Sequence, residues 1–436
     1  MESSLLVTGA VIFLLLFITL GSGIWISLSL FIVGFISMEM FGFLPAGTNM
    51  ASSVWATINK WELVALPLFI LMGEILFRSG ISKNLFKALV PWLYRFPGGL
   101  LLINIISCTI FAAVSGSSAA TTATVGRITL PEFERLKYNE SLSMGSLAGA
   151  GTLGFLIPPS LIMIIYAILA EVSIGKMFIA GILPGLLLAT IYILYLMTRG
   201  IIDPSIAPSS KSSYSWEERI KSLKHVVPVG FLIISVLGSI YAGIASITEA
   251  AALGVLASAI FAFFNKALDH RILFECLESA VKTTSMIIFI VMGAGFLSRA
   301  MGILGIPMEL TEAIGGMNLS PYALIAMLGL VYIVLGCILD GFSIVVMTLP
   351  IALPLIQNAG FDPIWFGIFL ILMVELSQIT PPVGFNLFVI QGLTGKSIGT
   401  VAKAAFPFFI LMIITTAIIT VFPTVATYLL GVMLGK

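Results

Sequence analysis

Residues 115–126 read SGSSAATTATVG. Apart from one Val, this stretch holds only Gly, Ala, Ser and Thr, and apolar runs lie on both sides of it. Small residues let a backbone turn, and irregular backbone at membrane depth is tolerated only inside protein or beside a polar cavity. In transporters, such interruptions bind the solute and the coupling ion. The stretch therefore predicts the tip of a re-entrant hairpin.

The composition indicates a membrane protein along almost the whole chain. Of 436 residues, 59% are hydrophobic and 9% are charged, whereas soluble domains are about a quarter charged. A membrane-spanning helix needs about 20 apolar residues, so the chain has room for roughly ten to twelve segments. The net charge of +1 offers no basic surface to nucleic acid. The three cysteines are scattered and form no metal-binding spacing.

Polar residues divide the apolar runs into an all-α membrane fold. Re-entrant helical hairpins are predicted at 98–137 and 320–358, and broken helices at 141–170 and 363–391. Continuous helices are predicted near residues 5–22, 25–44, 62–80, 176–199, 226–242, 247–265, 283–302 and 403–431.

Three motifs recur in the two halves of the chain at nearly constant offsets of 220, 219 and 223 residues. The matching pairs are 69–73 with 289–293, 129–131 with 348–350, and the Pro-Pro pairs 158–159 with 381–382. We therefore predict two repeats, residues 1–200 and 226–436, joined by the polar linker 201–225. Paired interruptions in two halves are the best sequence pointer to a transporter binding site.

The basic residues predict that the two repeats are inverted. Lys and Arg flank the first hairpin on both sides, whereas neither occurs between Arg299 and Lys396. By the positive-inside rule, the first hairpin enters from the cytoplasm and the second from outside. The linker, with four basic residues between Lys211 and Lys224, is also cytoplasmic. This threading places Met1 and Lys436 outside.

Hairpin tips and helix breaks that meet at the bilayer midplane would present carbonyl and hydroxyl oxygens, which hard cations such as sodium prefer. Half-helix ends add favourable dipoles for cation and anion. Small residues also allow close helix packing, which is the structural alternative. The candidate sodium ligands are Ser115, Gly116, Gly151, Gly154, Gly336, Asp340, Thr380 and Pro381.

Solute binding is predicted at polar residues close to these tips. Asp340 is an acid between apolar runs, which is costly to bury unless it has a function, although a shallow wet turn would also accommodate it. Arg299 could hold a carboxylate bidentately, or it could cap a helix or extend to the interface. Glu375, just before the second break, is open between a structural role and a proton site. The candidate solute ligands are Arg299, Ser117, Ser118, Ser160 and Asp340.

The chain resembles the large membrane subunit of the TRAP transporters (tripartite ATP-independent periplasmic transporters). The resemblance rests on the stretch at 115–126, on GTLGFLIPPS at 151–160, on TEAAA at 248–252 and on TPP at 380–382. It implies a fold like that of the ion transporter superfamily, an elevator motion, and location in the bacterial inner membrane.

The resemblance also implies sodium-coupled uptake of an organic acid. The implied partners are a small four-helix membrane subunit and a periplasmic solute-binding protein. Arg299 and Asp340 lie where members of the family would meet the solute and an ion. The family's solutes include C4-dicarboxylates and sialic acid, and overall likeness favours sialic acid.

Three other function classes compete with this interpretation. A stand-alone sodium–dicarboxylate symporter of the same superfamily would work without a binding protein. A channel would use pore-lining rings in a symmetric oligomer, whereas an inverted repeat within one chain favours alternating access. An intramembrane protease would need a buried base beside Ser117, and both histidines lie in polar stretches. The sequence therefore predicts a transporter and no enzymatic activity.

Overall fold

The computed structural model describes residues 2–42, 44–207, 214–224, 226–316 and 319–434, and every regular element in these ranges is helical. The helices are α1 (Glu2–Gly21), α2 (Ile26–Phe41), α3 (Ala46–Ile58), α4 (Ala65–Arg78), α5 (Ile81–Leu93), α6 (Leu101–Ser115), α7 (Ser118–Arg135), α8 (Glu140–Gly151), α9 (Leu153–Leu156), α10 (Leu161–Leu169), α11 (Ile174–Ile202), α12 (Trp216–Leu223), α13 (Val227–Tyr241), α14 (Ile247–Phe264), α15 (His270–Ile303), α16 (Ile306–Gly316), α17 (Pro321–Gly336), α18 (Gly341–Asn358), α19 (Pro363–Gln378), α20 (Phe385–Thr394), α21 (Ile398–Val421) and α22 (Thr424–Leu434). Short 3-10 helices occupy Trp61–Val64 and Pro204–Ile206.

Five of the described helices, α11, α14, α15, α18 and α21, are long and apolar enough to cross a membrane, or seven spans if two bent pairs are each counted as one. This number is below the predicted ten to twelve because several apolar helices, among them α6, α17 and α19, stop after 15 or 16 residues. The predicted class, an all-α membrane protein, is confirmed.

Both predicted hairpins are pairs of helices that pack against each other. The turn between α6 and α7 uses Gly116 at a φ of 60°, a left-handed conformation that glycine adopts without steric cost. Ser117 then caps α7 by accepting a hydrogen bond from the Ala120 backbone N–H at 3.4 Å. In the second hairpin, Asp340 caps α18 through the backbone N–H groups of Phe342 and Ser343. Each turn thus supplies its own cap.

Both predicted helix breaks occur at the Pro-Pro pairs. Proline has no N–H to donate and disfavours helical backbone at the residue before it. The helix that ends at Leu156 resumes at Leu161 with a bend of 41°. In the second half, α19 ends at Gln378 and α20 begins at Phe385. Both Pro-Pro peptide bonds are cis.

Helix α19 lies at the centre of the fold. Every residue from Trp365 to Gln378 is buried, as expected of a helix that is apolar on all faces. It packs against α11, α17, α18 and α21. The Trp365 indole N–H donates to the Ile419 carbonyl at 3.0 Å, which fixes α19 against α21.

Helix α8 packs closely against α21 because its facing residues are small. A Cβ built on Gly149 would lie 2.6 Å from Cδ1 of Phe408. A Cβ on Gly145 would lie 2.9 Å from the carbonyl carbon of Ala404, and nearer still to its oxygen. These glycines therefore serve the close helix packing that small residues allow in membrane proteins.

Several helices were not predicted from hydropathy. Helices α3, α5 and α16 lie between the predicted elements. Hydropathy does not predict them because each mixes polar or charged residues with apolar ones. The predicted last helix, 403–431, was wrong as a single element. Pro423 interrupts it, so that α21 ends at Val421 and α22 begins at Thr424.

Part of the predicted linker is a docked helix. Residues 208–213 and 225 lie outside the described residues, but 216–223 form α12, which begins with a capping box of Ser215 and Glu218. The Ser222 hydroxyl donates to the Ala88 carbonyl at 3.0 Å and accepts from the Trp92 indole at 3.3 Å. The linker is therefore hydrogen-bonded to α5.

The close approach of α8 and α21 yields a stability prediction. Replacing Gly145 by Ala forces the two helices apart, and overpacking of this kind costs about 1–3 kcal/mol. We expect a lower melting temperature in detergent, measured by fluorescence-detected size exclusion. Gly230→Ala is the matched control, since no atom lies within 4 Å of its Cβ position. Equal melting temperatures for the two variants would contradict the packing argument.

Candidate functional site

The tip of the first hairpin lies against the break of the first broken helix. The Leu161 N–H donates to the Gly116 carbonyl at 3.3 Å across this contact. Gly154 sits so close that its Cβ would lie 2.5 Å from Cα of Ser118. Ser160, fully buried, caps α10 by accepting from the Met163 N–H. The structure therefore brings the predicted first-half residues together.

Ser118 is the hub of a buried polar network that joins the two halves. Its hydroxyl donates to the Gly151 carbonyl at 2.9 Å and accepts from the Asn386 side-chain amide at 3.0 Å. Ser118 and Asn386 are both fully buried. Asn386 lies on α20 of the second half and was not predicted. Its only signal was one amide within the apolar run FNLFVI at 385–390.

Ser115 uses its side chain within the hairpin. Its hydroxyl lies 2.7 Å from that of Thr121 and 3.4 Å from the Ser117 carbonyl. The Ser117 carbonyl also accepts from the Thr121 hydroxyl at 2.7 Å. These bonds fix the shape of the tip. They leave the role of Ser115 as a sodium ligand a prediction.

The tip of the second hairpin lies against the end of α19. A Cβ on Gly336 would lie 2.5 Å from Cβ of Ser377, and one on Gly341 would lie 2.5 Å from a methyl of Val374. The Thr380 carbonyl accepts from the Gly384 N–H at 3.0 Å. Pro381 follows at an exposed position. The geometry thus parallels that of the first half.

Asp340 has a structural role that the sequence did not predict. Its carboxylate accepts from the Phe342 N–H at 3.0 Å and from the backbone N–H and hydroxyl of Ser343. A carboxylate at a helix N-terminus also benefits from the helix dipole. Helix capping alone therefore accounts for an acidic residue at this turn. The role of Asp340 as a ligand of sodium or solute remains a prediction.

Glu375 joins the two broken helices. It is fully buried, and one carboxylate oxygen accepts from the Phe155 N–H of α9 at 2.6 Å. Its other oxygen is buried and has no hydrogen-bond partner among the described residues. The Phe155 ring packs edge-on against Phe342 of the second hairpin, with ring centroids 5.7 Å apart. Glu375 thus makes a structural contact, and its role as a proton site stays a prediction.

Arg299 does not lie in either cluster around the hairpin tips. It is an exposed residue of α15 that lines a cavity of about 360 Å³. Residues from Val346 to Pro354 of α18 line the same cavity, beginning almost two helical turns after Asp340. The prediction that places Arg299 and Asp340 in one solute site therefore joins two separate places along the second hairpin.

A second cavity, of about 470 Å³, occupies the corresponding position in the first half. Leu130 and Pro131 of α7 line it, as Leu349 and Pro350 of α18 line the Arg299 cavity. At its mouth, Lys396 and Glu140 form an ion pair at 2.8 Å. This hydrogen bond raises the pKa of Lys396 above its usual value. Each hairpin thus has a cavity along its second arm.

Among the described residues, no group of three or more His, Cys, Asp or Glu side chains could hold a metal ion. The predicted sodium ligands at the hairpin tips are backbone carbonyls, hydroxyls and the Asp340 carboxylate. Such ligands suit a hard cation.

Residues 11–425 match the family described as "Tripartite ATP-independent periplasmic transporter, DctM component". The chain belongs to this family. It is 34% identical over 384 residues to the C4-dicarboxylate TRAP transporter large permease protein DctM of Pseudomonas aeruginosa, covering 87% of this chain and 88% of the relative. It is 30% identical over 400 residues to the ectoine TRAP transporter large permease protein TeaC of Halomonas elongata, covering 91% and 92%.

The fold has a solved counterpart. The crystal structure of the Alcanivorax borkumensis YdaH transporter matches with a TM-score of 0.61 and 13% identity, covering 85% of this chain and 86% of that one. At this identity, the likeness concerns the fold alone.

Family membership defines the general role of the protein. It is the large permease of a TRAP transporter, a multi-pass inner-membrane protein. The family is tripartite, with a small membrane subunit and a binding protein beside the large permease. Its role is transport.

The bond between Glu375 and Phe155 yields a second stability prediction. Glu375→Leu leaves a buried N–H without an acceptor, which costs about 1–3 kcal/mol, whereas Glu375→Gln retains an acceptor oxygen. We therefore expect Leu to lower the melting temperature more than Gln does. Hydrogen exchange at Phe155 should rise in the Leu variant, and equal behaviour of the two variants would count against this bond.

Proposed function

We propose that this TRAP permease couples sodium entry to the uptake of an organic acid delivered by a periplasmic binding protein. The observation that carries the proposal is the duplicated arrangement of hairpin tip and helix break. In each half, a tip packs against the break of that half's broken helix, and Ser118–Asn386 and Glu375–Phe155 join the two halves. Paired interruptions of this kind are typical of transporter binding sites.

The sodium ions occupy the two tips. In the first half, the ligands come from Ser115, Gly116, Gly151 and Gly154, and in the second from Gly336, Asp340, Thr380 and the Pro381 carbonyl. The support is that each hairpin tip packs against the broken helix that carries its other candidate ligands, at Ser118–Gly154 and at Gly336–Ser377. Both sets consist mainly of uncharged oxygen donors. Sodium is a transported coupling ion here, so it enters and leaves during the cycle.

The two hairpins and two broken helices move as one body in an elevator motion. Their mutual hydrogen bonds and close glycine contacts support a rigid unit. Helices α2, α4, α14 and α15 pack extensively on one another and form part of the scaffold, which the small four-helix subunit extends. Residues 1–200 and 226–436 are inverted repeats in this proposal. The first hairpin then faces the cytoplasm and the second faces the periplasm, each with its own cavity.

The solute binds between the tips and the Arg299 cavity, with Ser117, Ser118, Ser160 and Asp340 at the tips and Arg299 as the cation. Sialic acid and C4-dicarboxylates are the two solutes to test. The relatives' names include a C4-dicarboxylate and ectoine, so membership of the family alone does not fix the solute.

The alternative is a stand-alone sodium–dicarboxylate symporter. A measurement of uptake in proteoliposomes separates the two. We expect this chain with its small subunit to accumulate labelled solute only when a sodium gradient and the binding protein are both present. Labelled sialic acid and succinate are tested in parallel. Uptake with sodium alone would favour the stand-alone symporter, and uptake without a sodium gradient would refute sodium coupling.

Asp340→Asn tests the second sodium site. Asn caps a helix about as well as Asp, so the variant should reach the membrane and keep its melting temperature while losing the negative charge. We expect the sodium concentration for half-maximal uptake to rise by about tenfold, equivalent to about 1.4 kcal/mol.

The matched control is Asp362→Asn. Asp362 caps α19 through the Ile364 and Trp365 N–H groups at 2.7 and 3.0 Å, and no sodium site is assigned to it. Sodium dependence should be normal in this variant. An equal loss in both variants would assign the effect at Asp340 to capping.

A further inference from the structure

Lys60 lines the Arg299 cavity. It lies between α3 and α4, and its ammonium donates to the Ile168 carbonyl in the last turn of α10 at 3.0 Å. Carbonyls at a helix C-terminus lack helical partners and carry the negative end of the dipole. The ammonium also lies 4.0 Å from the Glu171 carboxylate. Lys60 therefore contacts the segment that follows the first broken helix.

The Lys60–Glu171 pair is weak. The Glu171 side chain is 83% exposed, and that of Lys60 is 35% exposed. Exposed ion pairs contribute about 0–1 kcal/mol. An incoming anion can therefore displace the Glu171 carboxylate at little cost.

The cavity as a whole has an excess of positive charge. Lys60, Glu171 and Arg299 are its charged lining residues. Within the described part of the chain, Arg299 forms no ion pair with a carboxylate, so one positive charge is left unbalanced.

The cavity also offers an unused hydroxyl. Ser53 lines it and is only 4% exposed, and its hydroxyl has no hydrogen-bond partner among the described residues. A buried polar atom of this kind is costly unless a ligand or water satisfies it. At about 360 Å³, the cavity is within the size range of small-molecule sites, about 300–1,000 Å³.

We propose that Lys60 is a second anion-binding residue of this cavity and that Glu171 takes the place of the anion when no solute is bound. The inference rests on the proposed uptake of an organic acid. An acidic oxygen of the solute replaces the Glu171 carboxylate at the Lys60 ammonium. Arg299 and the Ser53 hydroxyl contact the solute's other acidic or polar oxygens. No covalent bond is made or broken. An acidic group of the solute replaces the Glu171 carboxylate as the partner of the Lys60 ammonium.

The exchange occurs between two parts of the fold. Lys60 belongs to the segment between α3 and α4, whereas Glu171 directly follows α10 of the first broken helix. Binding of the solute thus breaks an ion pair between the scaffold side and the moving body in the elevator proposal. The Lys60 ammonium keeps its bond to the Ile168 carbonyl until the body moves.

Variants of the ion pair give effects of opposite sign. Glu171→Gln removes the competing carboxylate, so we expect the Kd for the solute to fall about twofold to fivefold. Lys60→Gln removes an anion-binding cation, so the Kd should rise about tenfold. The double variant should match Lys60→Gln alone, because Glu171 competes only through Lys60.

The Kd is measured by scintillation proximity on the purified chain with its small subunit and without the binding protein, which would impose its own selectivity. Labelled succinate and labelled N-acetylneuraminate are the probes. Lys282→Gln and Glu278→Gln are matched controls, since they break an exposed ion pair of 2.6 Å on α15 that does not line the cavity. We expect both controls to bind like the wild type.

If the Lys60–Glu171 ion pair only stabilised the fold, Lys60→Gln and Glu171→Gln would shift the Kd in the same direction. That result would overturn the inference. An unchanged Kd in Glu171→Gln would overturn the exchange. Because the Glu171 side chain is largely exposed, we expect Glu171→Gln to fold. Its Kd therefore tests the exchange even if Lys60→Gln does not fold. Loss of sodium dependence in wild-type uptake would instead refute the proposed sodium coupling and leave these Kd shifts to be judged separately.

Discussion

The fold depends on how polar backbone groups are satisfied where helices stop in apolar surroundings. A helix that ends inside a membrane protein releases N–H and carbonyl groups with no water to bind them. At both hairpin tips and at the first break, a short side chain accepts these bonds: Ser117 for α7, Ser160 for α10 and Asp340 for α18. Glu375 does the same from a distance for Phe155. After the second break, α20 begins after Gly384 without a side-chain cap.

These satisfied breaks make the duplicated arrangement possible. Once each tip is capped, it can lie directly against the neighbouring broken helix. Gly154 of the first broken helix lies against Ser118 of the first tip, and Gly336 of the second tip lies against Ser377 of α19. The same close approach leaves oxygen donors side by side at the tip. Capping and the proposed ion binding would thus use the same atoms, which is why the two roles have to be separated by variants that preserve one of them.

The hairpins and broken helices were predictable because Gly, Ser and Pro interrupt long apolar runs at visible positions. The first break, at Pro158-Pro159, and the hairpin turn at Gly116 are examples. Amphipathic helices such as α5 were missed because hydropathy does not distinguish them from loops. Contacts between residues far apart in the sequence were harder to predict. Asn386 meets Ser118 across 268 positions, and no spacing rule predicts such a contact.

The placement of Arg299 shows the same limit. Its position as the last basic residue before a long base-free stretch was evident in the sequence, but its neighbours were not. The structure places it in one cavity with Lys60, a residue more than two hundred positions earlier that belongs to no recognised motif. The charged residues can be identified in the sequence. The net charge of a cavity depends on which helices of the two halves enclose it, and this requires the structure.

The attachment of α12 to α5 has a mechanical consequence. Helix α5 leads directly into the first hairpin, and Trp92 and Ala88 hold Ser222 of the connecting segment. In the proposed elevator motion, displacement of that hairpin would pull on α5 and hence on α12. The hydrogen bonds at Ser222 would then limit how far the first hairpin can travel unless α12 moves with it.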